Sequence, residues 1–203
     1  MWARGLPEPT PWRDEGGFKV AYENGWMRVT EHDVVAPTGT RKRYGVLRPK
    51  TLGVGVLPLH GDGTVTLVGQ HRFTLMRYSW EMPEGGCPEG DDPFAAIQRE
   101  LAEEAGLKAR VWAPALEMDL SNSITDERVK TWLAWDLEPA EGAHLDDVED
   151  IVVVRAPFLT LLAEIAAGRV RDSLTVATAY RAYHMARENI LPGWLAHVML
   201  HRA

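Results

Sequence analysis

The sequence predicts an α/β (α+β) fold: an α/β/α sandwich built on a mixed sheet, with a small β element ahead of it. Three observations point there. Alternating and β-branched runs occupy the N-terminal part, a continuous apolar run at 52–59 reads as a buried strand, and strand-like and helical segments follow to the C-terminus. The length of 203 residues suits one domain with an appended element. The expected division is 1–50 as N-terminal strands, for capping or dimerisation, and 51–203 as the main domain with C-terminal helices.

In chain order, residues 1–16 are rich in Pro, Gly and charge and read as irregular. Residues 18–35 read as strands broken by a turn at Asn24-Gly25, because FKVAYE alternates and WMRVTEHDVV half-alternates. Pro37-Thr38-Gly39 marks a second turn, and RKRYGVL at 41–47 a third strand. After the apolar run LGVGVLPL, Gly61-Asp62-Gly63 turns the chain into a hairpin partner at 64–68, with Gln70, His71 and Arg72 at its end. Trp80-Glu81-Met82-Pro83-Glu84 leads into a glycine-rich turn. Beyond the helix treated next, 109–120 and 129–137 read as strands separated by the polar loop SNSITDER. The acidic loop HLDDVED precedes a last strand, IVVV. PFLTLLAEIAAG reads as a helix with Pro157 near its start and Gly168 at its end, and Asp172 caps a second helix, SLTVATAYRAYHMAREN. The apolar tail ILPGWLAHVML is expected to pack against the body or a partner.

The chain is organised around 85–107, GGCPEGDDPFAAIQRELAEEAGL. After the glycine-rich turn, Asp92 is a good N-cap, Pro93 suits the first helical position and Gly106 is a natural stop. Phe94, Ile97, Leu101 and Ala105 recur at helical spacing as a core-facing stripe. Glu100 and Glu104 are four residues apart and stack beside that stripe, with Glu103 on the same helix. Like charges at this spacing destabilise a bare helix by about 0.2–0.5 kcal/mol. A hard divalent cation would turn that repulsion into a ligand set, because Mg²⁺ prefers carboxylate and water oxygens. Taken alone, the cluster also reads as a solvated acidic face, with Arg99 and Glu103 as an i,i+4 ion pair.

Composition excludes several classes. Hydrophobic residues are 45% and charged residues 25%, ordinary for a soluble globular protein. A net charge of -7 gives no surface for non-specific phosphate-backbone binding, so no nucleic-acid partner is expected. No apolar run reaches the roughly 18 residues of a membrane span, so no membrane partner is expected. The start lacks the apolar core of a signal peptide, and the one cysteine, Cys87, excludes an internal disulfide; the chain is expected to be cytoplasmic. Cys87 reads as a space-filling residue in preference to a nucleophile. No zinc centre is expected from the seven histidines.

The full spacing decides how the acidic helix is read. Gly85, Asp91, Arg99, Glu100, Leu101, Glu103, Glu104, Gly106 and Leu107 follow G-x5-E-x7-R-E-U-x-E-E-x-G-U with U apolar, and this resembles the Nudix box. Every fixed position matches except Asp91, which stands where the pattern has Glu. The resemblance covers roughly 52 to the end of the second C-terminal helix. It implies the α/β/α sandwich of that family and hydrolysis of a nucleoside diphosphate linked to another group. Outside the box, four features are most similar to the ADP-ribose and nucleoside-diphosphate-sugar pyrophosphatases. They are the Q-x-R of Gln70 and Arg72, the approach WEMPEGG (the family often has LExPAGG), TDER at 125–128 and DDxED at 146–150.

By this resemblance Glu100 and Glu104 are metal ligands, with Glu103 assisting them in the catalytic set. The backbone carbonyl of Glu84 is a further ligand, and Gly85 and Gly86 are expected to turn the backbone sharply enough to point it there. The expected metal is Mg²⁺, with Mn²⁺ able to replace it. Gly85, Asp91, Arg99 and Gly106 are structural in the motif, and Arg99 orients the glutamates. The general base is expected on the loop before the last strand, at Glu149 or Asp147; the longer reach of Glu149 favours it slightly, and a solvated turn is the alternative. Arg72 reads as a bidentate phosphate grip or a surface salt bridge. Glu81 reads as a metal or substrate ligand or a hydrogen-bonded strand acid, and Glu127 as a contact to a ribose hydroxyl or to a second subunit. Most tryptophans read as core or interface, with Trp26 and Trp80 as lesser candidates for base stacking.

The implied substrate is ADP-ribose or a related nucleotide sugar, cleaved to a nucleoside monophosphate and a phosphosugar by a homodimer. One alternative is a Nudix hydrolase for another nucleotide, such as a dinucleoside polyphosphate or coenzyme A. The other is a non-catalytic nucleotide-binding sensor, against which the intact Glu100, Glu103 and Glu104 argue.

Overall fold

The computed structural model describes residues 8–141 and 150–201. The chain divides into two compact units, Met1–Lys50 with Asp119–Glu127, and Thr51–Met118 with Arg128–Ala203. The first is an antiparallel sheet in the order β1 (Arg13–Glu23), β2 (Met27–Val35), β3 (Arg41–Pro49). β1 starts inside the stretch expected to be irregular. Its first residues are held by Asp14, whose carboxylate accepts from the amides of Gly16 (3.2 Å) and Gly17 (3.1 Å) and meets His32 Nδ1 at 2.8 Å. Gly17 takes a positive φ of 80° at the register shift there. The β1–β2 turn closes on Asn24, whose Oδ1 accepts from the amides of Trp26 and Met27 at 2.8 and 2.9 Å. The segment 119–127 joins this unit through the Leu47 amide on the Ile124 carbonyl (2.8 Å) and the Arg48–Asp126 ion pair.

The second unit holds two sheets. β4 (Thr51–Pro58), β7 (Glu84–Pro88), β8 (Leu107–Asp119) and β9 (Arg128–Pro139) form a mixed sheet ordered β7-β4-β9-β8, with β4 parallel to β9 and antiparallel to β7. β5 (Thr64–Arg72), β6 (Arg77–Glu81) and β10 (Val152–Pro157) form an antiparallel sheet ordered β10-β5-β6. The helices of the described residues are α1 (Pro93–Ala105), α2 (Phe158–Ala166), α3 (Ser173–Arg187) and α4 (Gly193–His201).

β4 is covered on both faces, so it is a continuous apolar run and not an alternating one. Val54 and Val56 pack with Ala96, Ile97 and Leu101 of α1 and with Ala134 of β9. Gly55 faces the other way: a Cβ there would lie 2.4 Å from Met82 Cε and 3.5 Å from Leu174 of α3. β9 alternates likewise, with Ala134 in the α1 cluster and Thr131 Oγ1 accepting from Thr178 Oγ1 of α3 at 3.0 Å. The expected α/β/α layering is thus α1 on one face of this sheet and α3 on the other. Burying Ile97 and Leu101 completely stabilises this arrangement by roughly 1.5–3 kcal/mol each.

α1 begins and ends as its sequence predicts. Asp92 accepts from the Phe94 amide at 3.0 Å, and Gly106 ends the helix with a φ of 63°. Phe94 is exposed on its outer side, where it packs edge-on to Trp112, and Ala96 takes its place in the core. The tail, left open between body and partner, forms α4 and buries Leu195, Ala196, Val198 and Met199.

Two strands were not predicted, β6 and β7. By propensity EGGCP is a poor strand. It forms because β4 offers an edge, pairing Leu52 with Cys87, Gly53 with Gly86, Val54 with Gly85 and Gly55 with Glu84. Glycine and proline are tolerated at such an edge.

Candidate functional site

The acidic helix meets β7. Glu100, Glu103 and Glu104 rise along α1, and they differ in burial: Glu104 is buried, Glu100 is largely enclosed and Glu103 stands out to solvent. Glu104 Oε2 accepts from the Glu84 amide at 2.9 Å, tying the helix to the start of β7. Arg99 lies between the other two, with Nη2 3.2 Å from Glu100 Oε1 and Nε 3.7 Å from Glu103 Oε2. Arg99 thus contacts both Glu103, as an i,i+4 pair, and Glu100.

Gly85 and Gly86 are not in a turn, which corrects the expectation for them. Both lie in extended β7, and neither has a positive φ. What Gly85 supplies is closeness. A Cβ on it would lie 2.4 Å from Cδ of Glu100 and 2.6 and 2.7 Å from its two oxygens. Only a residue without a side chain lets the backbone come this near the carboxylate.

A second group of acids gathers on the α3 side of β7. Arg72, at the end of β5, sends Nε to both oxygens of Glu81 (3.1 and 3.0 Å), and its Nη2 also bonds Glu81. The same Nη2 reaches Glu84 Oε1 at 3.4 Å. These bonds from Glu81 hold the Arg72 guanidinium above its ordinary pKa. Glu81 is 3% exposed, so the fork is a buried ion pair on the carboxylate side. One carboxylate oxygen each of Glu81, Glu84 and Asp172 lies within 4.8 Å of the others. Burial pushes the Glu84 carboxyl well above the usual range; Asp172 and Glu81 add to the shift, and Arg72 opposes it. Glu84 Oε2 is sealed from solvent with no hydrogen-bond partner among the described residues.

Other expected positions fall as follows. Asp91 is exposed in the loop before α1, its amide on the Pro88 carbonyl at 3.2 Å. Glu127 belongs to the first unit, where its amide donates to Thr125 Oγ1 at 3.1 Å. Asp147 and Glu149 lie outside the described residues. Gln70 Nε2 is buried without a partner among the described residues. Trp26 is 80% exposed; Trp80 packs edge-on to Tyr78 over Gly69, where a Cβ would meet its ring at 2.5 Å. Cys87 is buried, and burial pushes its thiol up, consistent with a space-filling role. Two of the histidines do stand at H-x3-H spacing: His197 and His201 on α4 have ring centroids 5.0 Å apart. No third ligand stands with them among the described residues.

Asp172 and the side chain of Glu84 are the site residues that the sequence did not reveal. Asp172 does cap α3, its Oδ2 accepting from the Thr175 amide at 2.7 Å. That local role accounts for it in the sequence and hides its second neighbourhood. For Glu84 the signal was present, since an acid stands where similar sequences often have Ala.

Among known protein families, the NUDIX domain matches residues 49–167. An ADP-ribose pyrophosphatase of Mycobacterium tuberculosis is 28% identical over 127 residues, covering 61% of this chain and 61% of that protein. An ADP-sugar pyrophosphatase of Mus musculus is 31% identical over 184 residues, covering 81% and 82%. A solved structure described as an ADP compounds hydrolase superposes with a TM-score of 0.74 at 18% identity, covering 86% of this chain and 94% of its own.

Proposed function

This chain belongs to the Nudix family, and on that premise we propose that it hydrolyses the diphosphate of a nucleoside diphosphate linked to X, with ADP-ribose or a related nucleotide sugar as substrate. The supporting observation is the seat of Glu100 and Glu104 against β7, with Glu104 bound to the Glu84 amide and Gly85 stripped of any side chain beside Glu100. These oxygens fit a hard divalent cation, Mg²⁺ by preference and Mn²⁺ in its place: they are carboxylates on a rigid helix, and the Gly85 cradle would be filled by a Cβ. Glu100, Glu104 and the Glu84 carbonyl would hold it, with Glu103 assisting. When bound, such a cation neutralises the diphosphate and lowers the pKa of coordinated water.

The remaining roles belong to this chain. Arg72, held rigid by Glu81, presents its guanidinium to a phosphate oxygen. Glu149, or Asp147 in its place, accepts the proton of the attacking water. Oxygen attacks phosphorus, the bridging P–O bond breaks, and a nucleoside monophosphate and a phosphosugar leave. Glu127 is assigned to a ribose hydroxyl or to the second subunit of a homodimer. The outward side of β1 favours dimerisation, since Phe18, Val20 and Tyr22 are exposed on it. No helix of the described residues is long and apolar enough to cross a membrane.

The test is a panel of ADP-ribose, nucleotide sugars, dinucleoside polyphosphates and coenzyme A with Mg²⁺ or Mn²⁺, reading released phosphate esters. ADP-ribose or a nucleotide sugar is expected to turn over best. Glu104→Gln is expected to remove activity by several kcal/mol of barrier, at least about a hundredfold. Turnover of that variant within about tenfold of the parent refutes the ligand assignment. Light scattering tests the dimer, which a monomer at micromolar concentration contradicts.

A further inference from the structure

We infer a second cation position, formed by the carboxylates of Glu81, Glu84 and Asp172 and distinct from the α1 carboxylates. Its use in turnover rests on the hydrolase reading; the position itself rests on its own geometry. The three acids come from three elements: Glu81 ends β6, Glu84 opens β7 and Asp172 caps α3. Strand register places the backbones of Glu81 and Glu84, the Arg72 fork holds the Glu81 carboxylate and the cap holds that of Asp172.

Three observations identify a cation as the missing partner. The oxygens already lie within 4.8 Å of one another. Mg–O bonds of about 2.0–2.1 Å place opposite ligands roughly 4.2 Å apart, and Ca–O bonds of about 2.3–2.6 Å roughly 5 Å apart, so the cluster closes on either ion with small shifts. Independently, Glu84 Oε2 is shut off from water and has no donor among the described residues, a state that a buried carboxylate oxygen does not keep without a partner. Finally, the nearest cation is engaged elsewhere: Arg72 directs its fork at Glu81 and touches Glu84 only through one 3.4 Å contact on the other oxygen. Asp172 Oδ2 accepts from the Thr175 amide, which leaves the carboxylate lone pairs for a further ligand. Three hard oxygens leave positions for water or a phosphate oxygen, the coordination that Mg²⁺ and Mn²⁺ favour.

The test is a Mn²⁺ titration of the metal-stripped full chain without substrate, counting bound ions from the electron paramagnetic resonance signal of free Mn²⁺. Asp172→Asn keeps the helix cap, because Asn caps as well as Asp. Glu84→Ala removes the carboxylate and keeps the backbone carbonyl. Each variant, melting within a few degrees of the parent, is expected to lose one Mn²⁺ per chain or to bind it at least tenfold more weakly. Glu104→Gln is expected to lose a different ion and to keep this one. The inference is overturned if either Asp172→Asn or Glu84→Ala binds with parental stoichiometry and an affinity less than tenfold weaker. If both variants lose an ion while Glu104→Gln binds as the parent does, the second position stands and the α1 assignment fails.

Discussion

Gly85→Ala separates two explanations of a glycine in this motif. If the residue served conformational freedom, alanine would distort the strand and the protein would lose stability. Gly85 sits in extended β7 without a positive φ, so alanine is compatible with the backbone. Replacing a strand glycine then stabilises by about 0.5–1 kcal/mol through the unfolded chain. The new Cβ, however, would stand 2.4 Å from Cδ of Glu100, where ordinary contact begins at 3.4 Å. The carboxylate must therefore withdraw by about 1 Å from its present place. A displacement of that size at a catalytic group costs on the order of a hundredfold in rate, or about 2.7 kcal/mol. Gly86→Ala is the control. Its Cβ would meet the Thr51 side chain at 3.1–3.3 Å, which asks for a few tenths of an ångström and leaves Glu100 alone. Steady-state kcat/KM with Mg²⁺ and the best substrate, beside thermal melting, gives both readouts. The expected result is a hundredfold loss for Gly85→Ala at unchanged or raised Tm, and a much smaller loss for Gly86→Ala. Activity within threefold of the parent, or a fall in Tm that accounts for the loss, refutes the close-approach argument.

The ion pair at the end of β5 gives another test: Arg72→Met leaves Glu81 buried without its counter-ion. The loss of stability in urea is expected near the lower end of roughly 3–5 kcal/mol, because Arg72 itself is a third exposed, and Glu81→Leu added to it should recover more than half. A single-variant loss under about 1 kcal/mol would mean that the pair is not desolvated. Glu84 predicts a pH dependence of the chelator-treated protein. Its folded pKa lies above the ordinary value of 4.5, so the folded state binds the proton more tightly, and stability falls as pH rises from 4.5 towards the folded pKa. Relative to Glu84→Gln, the parent should therefore lose stability above pH 4.5 and run parallel to it below; urea midpoints that stay parallel across both ranges contradict the burial of this carboxyl.

Much of this was legible because local signals and tertiary demands agree. Asp92, Pro93 and Gly106 bound α1 by capping chemistry alone, and the run at 52–59 betrayed a strand covered on both faces. β7 was not legible, because its strand state comes from pairing with β4 and not from the propensities of EGGCP. The same holds for the site. Glu100 and Glu104 announce themselves by a spacing of four along one helix. The grouping of Glu81, Glu84 and Asp172 joins residues some ninety positions apart, and no periodicity carries that information. Only Glu84 left a mark, as an acid where similar sequences often have Ala.

β7 explains why two acidic groups can coexist. Successive residues of a strand point to opposite faces, so Glu84 joins the α3 side while Gly85 opens the α1 side to Glu100. The amide of Glu84 meanwhile holds Glu104, which couples the groups through the backbone. The arrangement is costly when empty. At an effective dielectric near 20, two carboxylates less than 5 Å apart repel by roughly 3–4 kcal/mol, and Arg72 is the guanidinium that faces the Glu81 group. The diphosphate of the proposed substrate would add negative charge to the same place. Such a site could not accept its proposed substrate on guanidiniums alone, so cations have to enter with it or before it. The electrostatics thus predict that measured substrate affinity depends steeply on free Mg²⁺ or Mn²⁺, and that chelation weakens binding as well as turnover. Equal binding of a non-hydrolysable ADP-ribose analogue by calorimetry with and without chelator would show that the acids are neutralised some other way.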